Sequence, residues 1–289
     1  MTKKFYKIKK REFKLKKKMY KIESFIAMGC AHSLHCEDDF YVYEDEEVIV
    51  AAVFDGCSSG IDSHFASTMH KYCLREVLID IPYIIREDDN RNFPFKDINE
   101  SGKEIIHLLY DRIYRLNYRV NSEMLSTVVL TLVNKLTKEY FICFAGDGVC
   151  KINDKIHSVH DSNSNAVWYL SSVKYSDFNF YYDTYCTKYS GVFENEISIS
   201  SDGMESFKDK FGTDVTTEAE ILFLGLNHDE LKLNDKYKTI PMCRLYNMFQ
   251  NGKIDEFKNI PVKNLDDFTI IKITEIKEKS NETSTESME

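Results

Sequence analysis

Residues 48–56 have the sequence VIVAAVFDG, in which seven consecutive apolar residues lead directly into Asp55 and Gly56. An apolar run that is rich in Val, with an acidic turn at Glu44–Glu47 before it, predicts a strand over Val48–Phe54. A glycine directly after the aspartate lets the backbone turn sharply and lets a carbonyl oxygen reach a ligand. This stretch therefore predicts a strand that ends in a carboxylate.

Four further segments place an aspartate at the end of an apolar strand or just after it. They are Cys36-Glu37-Asp38-Asp39, Phe144-Ala145-Gly146-Asp147-Gly148, Ser200-Ser201-Asp202-Gly203 and Asp266-Asp267-Phe268-Thr269. Mg²⁺ and Mn²⁺ prefer oxygen ligands, and several converging carboxylates cannot sit together uncompensated. A single Asp-Gly pair is more often a hairpin turn than a metal ligand, so the prediction of a metal cluster depends on the whole set.

The rest of the chain predicts strands in runs with helices grouped between them. The expected strands are Tyr20–Met28, Asp39–Tyr43, Ser126–Val133, Tyr140–Ala145, Val149–Ile152, Phe178–Tyr182, Ile197–Ser200 and Phe268–Ile273. The expected helices are Ile61–Leu78, Ser101–Tyr118, Met204–Lys210, Glu218–Leu224 and Met242–Gln250, and residues 80–100 are expected to form a loop. This order favours an α+β fold with a two-sheet core and helices outside it over an alternating βαβ fold.

Two details of the expected helices can be checked directly. The first helix has apolar positions at Ile61, Phe65, Met69, Tyr72 and Leu74, which predict its buried face. The second is expected to begin at Ser101 as the N-cap, because Glu104 follows three residues later.

The charge is distributed unevenly along the chain. Residues 1–21 carry eleven Lys or Arg and one acid, a net charge of +10, so the overall charge of −9 leaves −19 on the remaining residues. An acidic body repels nucleic-acid phosphates but attracts divalent cations. We therefore expect no contact with nucleic acid except through the basic arm.

The composition predicts one folded domain over residues 19–275, a basic, disordered arm over residues 1–18 and a disordered polar tail over residues 276–289. The arm could alternatively contact nucleic acid or anionic lipid, or be an extension upstream of a start at Met19. No apolar stretch of the kind found in secretion signals or membrane spans occurs, and the eight cysteines include no CxxC pair. We expect a cytoplasmic protein with reduced thiols.

The five aspartate segments resemble, in order, the motifs of the metal-dependent type 2C (PPM) protein phosphatases, and the resemblance covers about residues 22–274. The matching landmarks are Gly29 to Asp38, Phe54-Asp55-Gly56, Ser126-Thr127, Gly146-Asp147, Ser201-Asp202-Gly203 and Asp266-Asp267-Phe268-Thr269. The stretch from Asp55 to Gly60, with His32 upstream, looks most similar to a bacterial or phage branch.

The resemblance implies two packed antiparallel β-sheets flanked by α-helices, with two or three Mg²⁺ or Mn²⁺ ions in a cleft at one edge. The residues that it implies as metal ligands are Asp38, Asp55, Gly56, Asp147, Asp202 and Asp266. Asp55 would bridge two ions, Asp38 would help hold the second, and Asp147 would share a weaker third site with Asp202. Asp55, Asp202 and Asp266 are the implied catalytic residues.

The implied activity is hydrolysis of phosphoserine and phosphothreonine in a phosphorylated protein substrate, with a metal-activated water as the nucleophile. The enzyme is expected to act as a monomer. Two alternatives stay open: a pseudophosphatase that serves as a regulatory binding module, and a hydrolase of a small phosphate ester.

The sequence departs from the family pattern at the position for substrate phosphate. Many members have an Arg where this chain has Ser33. His32 or His35 could replace it, and we predict His32 as the substrate-binding residue, although both could be ordinary surface histidines. Asp267 lies where the family often has Asn, so we expect it to support the site.

Two further residues differ from the family pattern, and one aromatic region could border the substrate. Cys57 lies where some members have a His, and Gly148 replaces the usual Ser. Trp168 and the Tyr-rich stretch Tyr169–Tyr185 could line a substrate-binding flap or form an ordinary β-segment.

Overall fold

The computed structural model describes residues 19–57, 63–85, 96–117, 125–160, 169–172, 177–225, 237, 240–254, 257 and 260–276. Within them the strands are β1 Met19–Ala27, β2 Asp38–Glu44, β3 Val48–Gly56, β4 Ser126–Asn134, β5 Glu139–Ala145, β6 Gly148–Ile152, β7 Lys155–Val159, β8 Thr187–Val192, β9 Glu196–Ser200, β10 Phe207–Asp209, β11 Val262–Asn264 and β12 Phe268–Ile276. Sheet 1 has the order β2-β3-β4-β5-β8 and sheet 2 the order β1-β12-β9-β6-β7, while β10 and β11 form a small ribbon.

The helices lie between these strands in the sequence. They are α1 Ser63–Val77, α2 Ile81–Ile84, α3 Ile98–Asn117, α4 Phe178–Thr184, α5 Thr216–Ala219 and α6 Met242–Gln250. A π-helix over Glu220–Leu224 continues α5, and short 3₁₀ turns lie at Leu78–Asp80, Leu170–Ser172 and Asp202–Glu205. None of the described helices is long and apolar enough to cross a membrane.

Strand β3 shows how the layers are built, because it is buried on both faces. Val50, Ala52 and Phe54 point into the core between sheet 1 and helices α1, α3 and α4, whereas Ile49 and Val53 point into the core between the two sheets. Alternation of side chains along a strand produces this division, and burial of both faces explains the uninterrupted apolar run.

A third core lies between sheet 2 and the α5–α6 region, and its centre is aromatic. The ring of Phe268 on β12 lies 5.3 Å from that of Phe207 and 5.2 Å from that of Phe223, in tilted and edge-on arrangements. The molecule is therefore a four-layer α-β-β-α sandwich. The predicted fold class, two packed antiparallel sheets flanked by helices, is confirmed.

The predicted strand at Phe178–Tyr182 is wrong, because this segment forms α4. Phe178, Tyr181 and Tyr182 are buried, while the residues between them are exposed. That spacing follows the helical period of 3.6 residues, whereas the abundance of aromatic residues had suggested a strand.

The predicted helix at Met204–Lys210 is also wrong. The chain makes a 3₁₀ turn and then enters β10, where Phe207 pairs with Asn264 of β11. This pairing joins residues that are far apart in the sequence, so no local pattern could reveal it.

The expected loop at residues 80–100 contains α2 and the first turn of α3, and its residues 86–95 lie outside the described part of the chain. Helix α3 begins at Ile98 rather than Ser101, which is a buried helical residue. Asp97 takes the capping role, since its Oδ1 accepts the Asn99 N–H at 2.8 Å. Glu104 instead pairs with Lys96 at 2.9 Å.

The apolar face predicted for α1 is only partly correct. Leu74 is buried, but Phe65 and Tyr72 are exposed. The strand β12 extends to Ile276, one residue into the segment predicted as a tail. The rest of that tail, the basic arm and Trp168 lie outside the described residues.

Candidate metal centre

The sheet topology gathers the predicted aspartates at one edge of the sandwich. Asp38 and Asp55 are direct cross-strand partners on β2 and β3 of sheet 1. Asp202 lies two residues after the end of β9, and Asp266 lies two residues before β12, the neighbour of β9 in sheet 2. Asp147 lies between β5 and β6, where the chain passes from sheet 1 to sheet 2. Residues from both sheets thus meet at this edge.

Asp55 is the central carboxylate of the cluster. Burial raises its pKa well above the usual range, and the negative charges of Asp38, Asp202 and Asp266 raise it further. The closeness of the Asp202 side chain contributes to this upward shift. Burial likewise raises the pKa of Asp202. These carboxylates therefore cannot all carry their charge without a compensating cation.

Asp38 links the two sheets at the site. Its Oδ2 accepts a hydrogen bond of 2.7 Å from the Ser201 hydroxyl, and the Ser201 Oγ accepts the Thr269 N–H at 3.0 Å. Burial raises the pKa of Asp38 to about 7 although these hydrogen bonds act in the opposite direction. Gly56 is buried at the end of β3, where its N–H donates to the Glu37 carbonyl at 3.1 Å.

The carboxylate chemistry fits a divalent cation. Oδ1 of Asp38 and Oδ1 of Asp202 are buried atoms with no hydrogen-bond partner among the described residues. Buried polar atoms are nearly always paired with a donor or a cation. Within the described part of the chain, no three His, Cys, Asp or Glu side chains are arranged to hold one ion. Mg²⁺ usually binds one or two carboxylates and keeps several waters, so this arrangement agrees with its coordination.

Two glycines at the site lie so close to the backbone of residues 266–267 that a side chain would not fit. A Cβ on Gly203 would lie 1.6 Å from the carbonyl oxygen of Asp267, and one on Gly29 would lie 2.2 Å from the carbonyl carbon of Asp266. Any larger residue would push the segment around Asp266 away from its neighbours. The glycine that follows Asp202 therefore sets how closely the segments that carry Asp202 and Asp266 approach.

Asp266 is partly exposed, with 47% of its side chain accessible. Its Oδ1 lies 2.8 Å from His32 Nε2 and accepts the N–H of Asp267 at 2.8 Å. Burial lowers the pKa of His32, but the charges of Asp267 and Glu37 and the bond to Asp266 outweigh this, so the net shift is upward.

Asp147 is half-buried at the crossing between the sheets, between Gly146 (φ 114°) and Gly148 (φ 146°). It lies close enough to Tyr169 to raise the pKa of that phenol, as does Asp55, although burial and a hydrogen bond with Cys57 contribute more. Tyr169 therefore borders the site beside Asp147 and Cys57. The 3₁₀ turn that follows it is anchored by Leu170, which is fully buried.

Ser33 and His35 are exposed in the loop that leads to Asp38, and the described contacts connect neither to an aspartate of the cluster. The ring of His35 stacks on that of His64 with centroids 4.2 Å apart. The sequence analysis placed Ser201 and Thr269 inside predicted motifs and Tyr169 in a stretch that could line a substrate-binding flap, but it gave none of the three a specific role. The hydrogen bonds that connect Ser201 with Asp38 and with Thr269 became visible only in the structure.

A cavity of about 430 Å³ lies elsewhere, between sheet 2 and α6, and none of the predicted ligand aspartates lines it. Its buried charges are already compensated, since Glu196 pairs with Lys151 at 3.0 Å and with Lys272 at 2.8 Å. The candidate metal site is therefore the edge of the sandwich where the aspartates converge, because carboxylates that are not paired with lysine or arginine can bind metal ions.

Comparison with known proteins identifies the fold. No protein-family model and no curated protein match the chain. A crystal structure of a bacterial serine phosphatase matches over 90% of this chain and 99% of its own, with a TM-score of 0.56 and 12% identity. A structure with the PP2C phosphatase domain and part of the regulatory domain of the cell-fate determinant SpoIIE from Bacillus subtilis matches over 89% of this chain, with a TM-score of 0.52 and 15% identity.

A sex-determining protein from C. elegans matches over 89% of this chain, with a TM-score of 0.51 and 12% identity. This chain spans only 64% of the SpoIIE chain and 65% of the C. elegans chain. The identities are low, so these matches establish the fold alone. The chain has the fold of PP2C-type phosphatase domains, which confirms at that level the resemblance seen in the sequence.

Proposed function

We propose that this chain is a metal-dependent phosphatase that hydrolyses phosphoserine and phosphothreonine in proteins. The observation that carries the proposal is the convergence of Asp38, Asp55 and Asp202: burial raises the pKa of Asp55 and the negative charges of the other two raise it further. Among the described residues, no ion pair joins any of the three to a lysine or arginine. A purely structural core would not retain such a set, because uncompensated buried charge destabilises the folded state. The PP2C fold supports the same proposal.

In this proposal the carboxylates hold two or three Mg²⁺ or Mn²⁺ ions. The ligands would be Asp38, Asp55, the Gly56 carbonyl, Asp147, Asp202 and Asp266. Bound ions of this kind lower the pKa of a water molecule and neutralise charge on the oxygens of a phosphoryl group. Asp55, between the other two buried aspartates, is the residue best placed to contact two ions.

The protein residues themselves supply position rather than covalent chemistry. The Ser201 hydroxyl fixes Asp38 relative to sheet 2, and Gly203 allows the segment with Asp266 to approach. The described cysteines are all free, and burial raises the pKa of Cys36, so a thiolate nucleophile is not favoured. Hydrolysis by direct attack of water on phosphorus agrees with this residue set.

The proposed substrate is a phosphorylated protein, and the proposed setting is a cytoplasmic monomer. Eight free cysteines support a reducing compartment. The pseudophosphatase alternative depends on Ser33, which gives the loop no cationic side chain for a phosphate where many PPM enzymes have Arg. The intact carboxylate set weighs against that alternative, and the small-ester alternative is decided by substrate choice.

The test is release of phosphate from a phosphothreonine peptide and from p-nitrophenyl phosphate, with Mn²⁺, with Mg²⁺ and with EDTA. We expect metal-dependent hydrolysis that EDTA abolishes and a higher kcat/KM for the peptide. A preference for the small ester would favour the second alternative. Folded protein that binds Mn²⁺ but releases no phosphate would favour the binding module.

A further inference from the structure

The loop from Gly29 to Glu37 is held against the turn that carries Asp266. The N–H groups of Cys30 and Ala31 donate to the carbonyls of Asn264 (3.0 Å) and Leu265 (2.9 Å). Two consecutive backbone hydrogen bonds fix both the distance and the register of the two segments. The loop and the turn thus behave as one unit, although more than 200 residues separate them in the sequence.

Asp267 fixes both ends of this loop. Its side chain is 1% exposed, its Oδ1 accepts the Gly29 N–H at 2.7 Å and its Oδ2 accepts the Glu37 N–H. A buried carboxylate that accepts two backbone N–H groups forms strong, charge-assisted hydrogen bonds. Asp267 therefore places the start and end of the loop, and with them His32, beside Asp266.

His32 lies at the centre of the unit and is 14% exposed. Its Nε2 is 2.8 Å from Oδ1 of Asp266, while its Nδ1 faces Oε1 of Glu37 at 3.6 Å and Oδ2 of Asp267 at 4.0 Å. An ionised carboxylate can only accept a hydrogen bond, so Nε2 is the donor toward Asp266. Three carboxylates around the ring would repel a phosphate dianion.

Both hydrogen bonds to Asp266 fall on the same oxygen. Oδ1 receives His32 Nε2 and the Asp267 N–H, and no described residue bonds Oδ2. The Asp266 side chain is 47% exposed, so these two hydrogen bonds, rather than close packing, set the orientation of its carboxylate. Fixing Oδ1 therefore determines where Oδ2 is directed.

We infer that His32 is a positioning residue that donates its Nε2–H to Oδ1 of Asp266 and thereby holds Oδ2 ready for a divalent metal ion. This inference rests on the proposed function, because it takes Asp266 as a metal ligand. Partners that hydrogen bond to metal ligands commonly change metal affinity by roughly 10–100-fold when they are lost. The inference differs from the prediction that His32 binds the substrate phosphate, and the two have different consequences.

The experiment measures Mn²⁺ affinity by titration calorimetry and KM for a phosphothreonine peptide on the full chain. His32→Leu removes both ring nitrogens, whereas His32→Gln keeps an amide nitrogen near the position of Nε2. His107→Leu is the matched control, because His107 is exposed on α3 and contacts Phe178 rather than an aspartate.

We expect His32→Leu to weaken Mn²⁺ binding by roughly 10–100-fold. His32→Gln should keep most of the affinity, and His107→Leu should equal the parent. If His32→Leu does not fold, as judged by thermal melting in EDTA, His32→Asn replaces it, because the shorter Asn side chain cannot reach Oδ1 of Asp266.

Unchanged Mn²⁺ affinity in His32→Leu with a raised KM would overturn the inference and favour phosphate binding by His32. Equal losses in the Leu and Gln variants would also overturn it, since the hydrogen bond would then not be the cause. If the parent protein hydrolyses the phosphopeptide with Mn²⁺ and His32→Leu has the same Mn²⁺ affinity and the same KM, the inference is wrong but the proposed function stands. A parent that binds no Mn²⁺ would sink the proposed function with it.

Discussion

The molecule carries two clusters of charged side chains, one on sheet 2 and one where the two sheets meet, and they differ in how the charge is balanced. In the lysine cluster, Glu196 lies between Lys151 and Lys272, and Lys151 also donates to the Leu224 carbonyl at 2.6 Å. In the aspartate cluster, burial raises the pKa of Asp55, and the negative charges of Asp38 and Asp202 raise it further. The first cluster balances its charge within the protein, whereas the second would be balanced by the cation that the proposed function places there.

The difference separates a structural arrangement from a functional one. Both clusters withdraw carboxylates from solvent, so burial alone does not distinguish them. The lysine cluster satisfies its donors and acceptors within the protein, so it contributes to a stable fold. The aspartate cluster is arranged at the expense of stability, which is typical of a site that binds a ligand.

The largest expected effect is that of Asp55→Asn on metal binding and turnover. Loss of the shared ligand should weaken Mn²⁺ binding and lower kcat/KM by more than the roughly 100-fold seen when outer-shell partners are lost. In EDTA the same variant should be at least as stable as the parent, because it removes a repelling carboxylate. Asp183→Asn, at an exposed carboxylate of α4, is the control. Turnover equal to the parent's would show that the site is assigned wrongly.

Glu196→Gln should lower the stability of the fold without changing metal binding. It leaves two lysines without their carboxylate, so we expect a loss of about 3 kcal/mol in the free energy of unfolding, with Mn²⁺ affinity unchanged. Urea unfolding checks the first and calorimetry the second. The exposed Glu194→Gln control should stay within about 0.5 kcal/mol of the parent. A fall in metal affinity in Glu196→Gln would mean that the two clusters are not independent.

The pH dependence of stability should also separate the clusters. Burial raises the pKa of Asp38 to about 7, above its value of about 4 in the unfolded chain, so the folded state holds this proton more tightly. The resulting stability is present below about pH 4 and is lost as the pH rises through about 7.

In EDTA we therefore expect the free energy of unfolding to fall by about 1 kcal/mol or more between about pH 5 and 8. Urea unfolding at several pH values measures this change. Saturating Mn²⁺ should remove it, and Asp38→Asn should reduce it in EDTA. An identical fall in Asp38→Asn would assign the effect to other groups, such as His32, whose pKa is also raised against the effect of burial.

The smallest expected effect tests how far the aspartate site extends. Tyr169→Phe removes only the hydroxyl that bonds Cys57, the residue after the Asp55-Gly56 turn. One such bond contributes about 1 kcal/mol, so kcat/KM should fall roughly 2–10-fold with Mn²⁺ affinity unchanged. Tyr83→Phe, at an exposed position on α2, is the control. Equal kinetics in both variants would exclude Tyr169 from the site.

The sequence predicted the strands of the two sheets best where the apolar pattern was strong. The interval Val48–Phe54 lies within β3, and Ser126–Val133 lies within β4. The prediction was wrong at α4, where aromatic residues suggested a strand but the buried residues follow a helical spacing. It was also wrong at β10, which pairs with a strand that is distant in the sequence. Asp97 rather than Ser101 is the N-cap of α3, and Ser101 is a buried residue within the helix.

The candidate site was predictable to a similar extent. All predicted aspartate ligands lie at strand ends or turns on one edge of the sandwich, as their repeated motif indicated. The exposed position of Ser33 and the contact of His32 with Asp266 could not be read from the chain, because both depend on how the loop packs against the turn at residues 264–267.

The sequence alone determined that carboxylates would follow buried strands, since apolar runs and Asp-Gly pairs are local features. Only the tertiary structure decided which carboxylates would form ion pairs with lysine and which would face other carboxylates. The physical reason is that charge balance depends on neighbours in space: Glu196 meets two lysines across adjacent strands, while Asp55 meets Asp38 and Asp202.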